Sequence, residues 1–287
     1  MIRPEQDTGH ALAEETALGF IAAAPRRLAP DTADVGGDAN GGEEEQPAWL
    51  AGNVGGAWRI GSTVRRTTGP WTAAVHALLG FLATRLEHTP RVLGFDEQGR
   101  EVLTFLPGRV VDIDSGLLTP GQIDSLVSWT RSFHEVVAGF RHPGPWRCPR
   151  MPQASLIGHN DIAPYNVCFD GDDVAGVFDW DLAGPTTPLM ELAFIAWNCV
   201  PLWRDIGDEA AAERIRRICS AYGGVHPTQV VDAVPRRIQM MQGWIPRGAA
   251  AGDAGLRRLM SHGEPERSQA ALKELVPRLR RIRSILD

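Results

Sequence analysis

Lysine is nearly missing from this chain. Of 29 basic residues in 287 positions only Lys273, near the C-terminus, is a lysine. A cation needed anywhere else must therefore be an arginine. Long apolar runs are missing too, since no stretch reaches the ~18 residues of a membrane span. The segment "ALGFIAAAP" is short, follows acidic residues and has no basic flank, so it does not read as a signal peptide. The four cysteines, Cys148, Cys168, Cys199 and Cys219, are scattered and form no C-x-x-C pair. That argues against a disulfide framework or a zinc site and suits reduced thiols in a cytoplasmic protein. Basic residues exceed acidic ones only over residues 201–287, and aromatics do not interleave with them as in a single-strand binder. No nucleic acid and no membrane are expected as partners, and composition leaves the oligomeric state open. Asparagine is scarce, with 5 against 19 aspartates.

What remains is enough for a sizeable core: 43% of residues are hydrophobic and the mean hydropathy is −0.17. The net charge of −6 is uneven, with −7 over residues 1–50, −4 over 51–200 and +5 over 201–287. Residues 1–25 have room for one short helix, and "APDTADVGGDANGGEEEQP" reads as an acidic, Gly-rich linker with little to bury. Folded structure should begin near Trp49. "WRIGSTVRR" reads as a hairpin around Gly61, and "RVLGFDEQGREVLTFLPG" as a second one turning at Asp96 to Gly99. Between them Pro70 marks a helix start, and Trp71, Ala74, Val75, Leu78, Leu79, Leu82 and Leu86 recur at helical spacing. Thr119 can cap a helix whose first residue is Pro120. Further helical segments lie around 188–203, 208–221, 227–244 and 265–285, and "VAGVF" reads as a strand. Strands come first and helices follow, which is an α+β chain in two lobes.

Three of the scarce or polar residues crowd into "IGHNDIAPYNVCFD": His159, Asp161 and Asn166. At this composition H-x-D-x4-N is expected by chance about 0.01 times, so its context decides its meaning. Asp161 and Asn166 alone would pass as Asx-turn residues. Thirteen residues beyond Asn166, however, the strand delivers Asp179. Phosphoryl transfer needs such a set: one carboxylate to orient the acceptor hydroxyl and take its proton, and an amide oxygen plus a second carboxylate to hold Mg²⁺. Pro164 stiffens the turn between them.

"HNDIAPYN" followed by "FDWD" resembles the aminoglycoside phosphotransferase and choline kinase superfamily, which shares the protein-kinase fold. The likeness runs from about Gly52 to at least Trp203. It implies a bilobal protein-kinase-like α+β fold, with a small antiparallel-sheet N-lobe at 49–106 and a larger, mostly helical C-lobe at 107–287, after an extension at 1–48. It also implies Asp161 as catalytic base and Asn166 and Asp179 as Mg²⁺ ligands. Asn160 stands where the superfamily usually has Gly, as it does in choline kinases. Glu191, in "LMELAF", takes the place of a usual Asp and reads as structural support. His159 reads as a strut or as an acid–base group, and Asp181 as a third metal-side carboxylate or a turn residue.

The nucleotide side departs from the family, whose strand lysine grips the phosphates and pairs with a helix Glu. Strand alternation places Val64 and Arg66 on one face, so Arg66 rather than Arg65 is the expected replacement. Arginine can chelate phosphate oxygens bidentately. His76 falls at the usual Glu position or is a flanking helix residue. With it there, Arg66 has no strong internal partner visible, and should be loosely held or drawn to Asp179. Gly52, Asn53, Gly55 and Gly56 match the phosphate-covering turn. Thr104, Phe105 and Leu106 match the linker whose backbone faces the adenine. ATP and Mg²⁺ are the implied cofactors, with GTP open.

The implied reaction is transfer to a hydroxyl of a small molecule, with an antibiotic among the candidate acceptors. A basic C-terminal third disfavours a polycationic one, and Trp197, Trp203 and Trp244 there are core or pocket residues. The competing reading is a nucleotide-binding or partner-binding pseudokinase, motivated by the missing Lys–Glu pair.

Overall fold

The structure, a computed structural model, describes residues 47–50 and 56–287. The expected N-terminal helix, the acidic linker, and Gly52, Asn53 and Gly55 lie outside the described residues, while Gly56 leads directly into a strand. Strands β1 (Ala48–Leu50), β2 (Ala57–Ile60), β3 (Thr63–Arg66), β4 (Val92–Phe95) and β5 (Glu101–Thr104) form one antiparallel sheet in the order β1-β2-β3-β5-β4. Both expected hairpins are present. The first turns at Gly61, whose φ of 58° a side chain would resist. In the second, the Asp96 carboxylate accepts the Gln98 and Arg100 N–H groups at 3.0 and 2.9 Å, an Asx turn that fixes the register.

Helix α1 (Thr72–Leu82) buries the predicted apolar stripe, with Ala74, Leu78, Leu79 and Leu82 fully enclosed. Burial of each leucine is worth about 1.5–3 kcal/mol. The helix stops short of Leu86, because the chain turns to bring the His88 carbonyl to the N–H of Val177 at 2.8 Å. Leu86 still packs on the core.

The larger lobe holds α2 (Pro120–Val137), α3 (Pro188–Cys199), α4 (Asp208–Tyr222), α5 (Pro227–Ala250), α6 (Ala254–Ser261) and α7 (Glu264–Leu286). Two small antiparallel sheets sit at its top: β6 (Arg109–Val110), β8 (Val167–Asp170) and β9 (Asp173–Val177) in the order β6-β8-β9, and the pair β7 (Leu156–Gly158) and β10 (Gly184–Thr186). Thr119 and Gln122 form a reciprocal capping box at the start of α2, with Pro120 as its first residue, as the sequence predicts. Helix α3 is buried along nearly its whole length and runs through the core.

The later helices differ from expectation in three places, the first being that α3 ends at Cys199 and not near 203, where the chain turns. Helix α5 passes 244 and continues through Pro246, and α6 was not foreseen. Proline breaks a helix only when nothing outweighs the lost hydrogen bond. Here Met241, Trp244 and Ile245 bury themselves against Leu256 and Leu259 of α6. The link between the lobes presses on β9: a Cβ on Gly176 would lie 2.6 Å from Leu106 Cβ, so only glycine admits that approach.

Candidate active site

The loop after β7 is fixed from below by buried hydrogen bonds. Asn160 has φ of 63°, the left-handed conformation that asparagine tolerates better than most residues, which explains how it stands in for glycine. Its N–H donates to Glu191 Oε1 at 2.6 Å, its carbonyl accepts from Arg237 Nη2 at 2.7 Å, and its side-chain amide donates to the Leu182 and Gly184 carbonyls at 3.2 and 3.1 Å. Glu191 reaches under the loop because Gly158 leaves space; a Cβ there would sit 2.5 Å from Glu191 Oε2. That same oxygen takes His134 Nε2 at 2.5 Å, and His134 in turn meets the Tyr222 hydroxyl at 2.8 Å. Burial pushes the Glu191 carboxyl up, but the hydrogen bond and charge of His134 and the Asn160 N–H more than reverse this, so its pKa is lowered. Glu191 therefore has the supporting place expected of it.

His159 is a strut. Its Nδ1 accepts the Asp161 N–H at 3.2 Å, which leaves Nε2–H to donate to the Phe178 carbonyl at 3.1 Å. Its ring lies 4.6 Å from that of Trp180, centroid to centroid. Complete burial lowers its pKa and keeps it neutral. The imidazole thus ties the start of the loop to the segment that ends in Asp179.

Asp161 and Asn166 meet directly. The Asn166 amide donates to Asp161 Oδ2 at 2.8 Å and to the Asp161 carbonyl at 3.0 Å. Among the described residues no arginine forms an ion pair with Asp161. Loss of water around the carboxylate, and then the negative charge of Asp179, push its pKa well above the usual carboxylate range. Asn166, Arg237 and Tyr165 offset this only in part. Asp179 follows β9 in the left-handed region at φ 62°, and the Phe178 N–H donates to the Asn166 carbonyl at 3.0 Å. Two hydrogen bonds at the Phe178 backbone, its N–H to the Asn166 carbonyl and its carbonyl from the His159 ring, therefore bring Asp179 to the loop. Because the Asn166 NH₂ is spent on Asp161, its amide oxygen faces elsewhere. That oxygen and the half-exposed Asp179 carboxylate form a hard oxygen donor set of the kind Mg²⁺ takes alongside phosphate oxygens and waters. The residues present fit that ion.

Across the cleft, Arg66 Nη2 lies 2.7 Å from Asp179 Oδ1 and 3.0 Å from Asp181 Oδ1, and Nη1 lies 3.4 Å from Glu101 Oε1. Burial works against its charge, but Asp181, Asp179 and Glu101 outweigh that and raise its pKa. Of the two expected states of Arg66, loosely held or drawn to Asp179, the second is the observed one, while the expected lack of a strong internal partner is corrected. The missing partner is Glu101, which pairs with Arg66 across the β3–β5 ladder and therefore shares its face. His76 is not the partner of Arg66; its Nε2 lies 2.8 Å from Glu101 Oε2. Arg65 points away, bonding Thr63 Oγ1 and lying 3.9 Å from Asp96. Asp181 sits between two arginines, Arg66 and Arg147, the latter 3.4 Å away. Arg147 also grips Asp253, the cap of α6, through two bonds of 2.8 Å and lies over the Trp71 ring at 4.2 Å.

Of the linker residues, Thr104 ends β5, the Phe105 N–H donates to the Ser62 carbonyl at 2.8 Å with the Arg59 guanidinium 4.0 Å from its ring, and Leu106 packs on Gly176. Glu101, Arg147 and Arg237 were missed from sequence. For Glu101 the sequence held no signal, since its register opposite Arg66 is a long-range strand pairing. Arg147 and Arg237 had none.

Residues 147–230 match the family model described as the phosphotransferase enzyme family. Among curated proteins, the trifolitoxin immunity protein of Rhizobium leguminosarum bv. trifolii is 34% identical over 167 residues, which is 55% of this chain and 61% of that protein. The chain therefore spans about three-fifths of that relative's length. Among solved structures, a choline/ethanolamine kinase family protein from Mesorhizobium loti matches with a TM-score of 0.54 at 17% identity, over 85% of this chain and 94% of that one. The GDP complex of wild-type aminoglycoside 2'-phosphotransferase-IIIa matches with a TM-score of 0.51 at 12% identity, over 84% of this chain and 93% of that one. At these identities the likeness is one of fold. The bilobal kinase-like architecture read from residues 157–181 is the observed one, and the family match falls on that same segment. Among the described residues no helix is long and apolar enough to cross a membrane.

Proposed function

We propose that this chain, with the fold and the catalytic segment of the aminoglycoside phosphotransferase and choline kinase superfamily, transfers the γ-phosphoryl group of ATP to a hydroxyl of a small molecule. The observation that carries the reading is the convergence of Asp161, Asn166 and Asp179 on one side of a cleft with Arg66 opposite, 2.7 Å from Asp179. Asp161 accepts the proton of the acceptor hydroxyl as its oxygen attacks phosphorus, and ADP leaves. Its position is set by Asn166 and by the backbone bond to His159. Mg²⁺, held by Asn166 and Asp179, would neutralise the phosphate charge. Arg66 binds phosphate oxygens from the sheet side, and the backbone of Thr104, Phe105 and Leu106 receives the base. The small sheet up to Leu106 is the nucleotide-binding unit, and the acceptor enters from the helical side.

The relative named for trifolitoxin immunity favours an acceptor that is a growth-inhibiting compound. The deciding experiment is transfer of labelled phosphate from ATP, with GTP in parallel, across antibiotics, amino alcohols and sugars. A phosphorylated product that disappears in Asp161→Asn supports the reading. Nucleotide binding with no transfer to any acceptor class would favour the pseudokinase.

A further inference from the structure

We infer that Glu101 is the positioning residue for the Arg66 phosphate grip, and that His76 holds Glu101 in place, so that the carboxylate usually expected on the helix has moved onto the neighbouring strand. This rests on the kinase reading above. Three observations carry it. Arg66 and Glu101 are direct ladder partners on β3 and β5, so their side chains share the cleft face, and Nη1 lies 3.4 Å from Oε1. The other oxygen of Glu101 meets His76 Nε2 of α1 at 2.8 Å, and the His76 ring lies 5.2 Å from that of Phe95, centroid to centroid. Finally, Glu101 is only 2% exposed. A carboxylate so buried is costly unless its oxygens are engaged, and here the two oxygens face a guanidinium and an imidazole.

The three carboxylates around Arg66 differ in what else holds them. Asp179 is half exposed and is the proposed metal ligand, so it is the one drawn away when nucleotide and metal arrive. Asp181 is shared with Arg147. Glu101 faces Arg66 from the same sheet and has no competing ligand role. It is the contact that persists and keeps the guanidinium aimed at the phosphates. Because grip and anchor belong to adjacent strands, the grip is assembled with the sheet itself and does not wait for α1 to swing in. The helix contributes through His76, one step removed.

The test is calorimetric binding of MgATP and of adenosine to the full chain. Glu101→Gln should weaken MgATP binding about tenfold, the scale of a hydrogen bond to a charged group, while adenosine affinity stays unchanged. In an Arg66→Ala background the same substitution should cost nothing further. His76→Ala should produce a smaller loss that His76→Gln, which can still donate to Glu101, restores. Unchanged MgATP affinity in Glu101→Gln, an equal loss for adenosine, or full additivity with Arg66→Ala would overturn the inference while leaving the kinase reading standing. A parent protein that binds no MgATP would overturn both.

Discussion

The two sides of the cleft are built on opposite principles. On the helical side His159, Asn160, Asp161 and Asn166 lie within eight residues, and their positions are set by hydrogen bonds to backbone groups and to one buried carboxylate, Glu191. On the sheet side Arg66 and Glu101 meet Asp179, Asp181, Arg147 and Asp253 of the facing lobe; these six come from five separate segments and are joined by ion pairs. The first arrangement is rigid, since each bond has a single geometry and little water reaches it. The second is exchangeable, since a guanidinium can trade one carboxylate for a phosphate. In the proposed reaction a base must hold still, whereas a phosphate grip would have to release Asp179 to a metal.

The contrast is broken most severely at the base. Asp161→Asn keeps the shape and removes the proton acceptor, so transfer should fall by ~10²–10⁴, while calorimetry shows nucleotide binding retained. Turnover at the parent rate would remove Asp161 from this role.

Next in size is the support beneath the rigid side. Glu191→Ala leaves His134 and the Asn160 N–H without their partner and should cost ~3–5 kcal/mol in urea unfolding, the cost of breaking a buried pair. The pH dependence has a definite sign. The folded pKa of Glu191 lies below its unfolded value, so its contribution is fully present above the unfolded pKa of ~4.3. It is lost as pH falls through the lower folded value. Below about pH 4.3 the parent protein should therefore shed stability that the variant never had. Parallel pH–stability curves would refute this.

On the exchangeable side Arg66→Ala should raise the apparent KM for ATP and lower kcat together, each by about tenfold, because the contact serves the ground state and, more strongly, the transition state. Arg66→Lys should recover part of the loss, a point charge replacing a fork. Arg65→Ala sharpens the comparison from below: its change in stability should stay within about 0.5 kcal/mol, and steady-state kinetics should be unaltered. If Arg65→Ala were the damaging change, the strand phase assigned to Arg66 would be wrong by one residue.

The helical side was readable because its chemistry is local. The spacing of His159, Asp161 and Asn166 survives in the linear order, and Asn160 at a left-handed position is a local backbone requirement. The two hairpins, the α1 stripe and the α2 cap were legible for the same reason, since turn residues and apolar periodicity act over a few positions. Around Arg66 the sequence made legible Arg66 itself, through strand alternation, and Asp179 and Asp181, through the "FDWD" segment. The anchor of Arg66 was sought on the helix and lies on β5 instead, because which strand neighbours β3 is decided by long-range pairing. The run of α5 through Pro246 was missed on similar grounds: the burial of Trp244 and Ile245 against α6 outweighs a local helix-breaking preference.

Composition and spacing by themselves determine that any cation on the sheet side must be an arginine and that His159, Asp161 and Asn166 share one loop, because a lysine absent from that part of the chain cannot be supplied by folding and an eight-residue loop carries its own geometry. Folding alone decides who holds that arginine. Glu101, Asp179 and Asp181 reach Arg66 only once the sheet has closed and the lobes have met, since ion pairs between distant segments depend on distances in space that the order of residues does not contain.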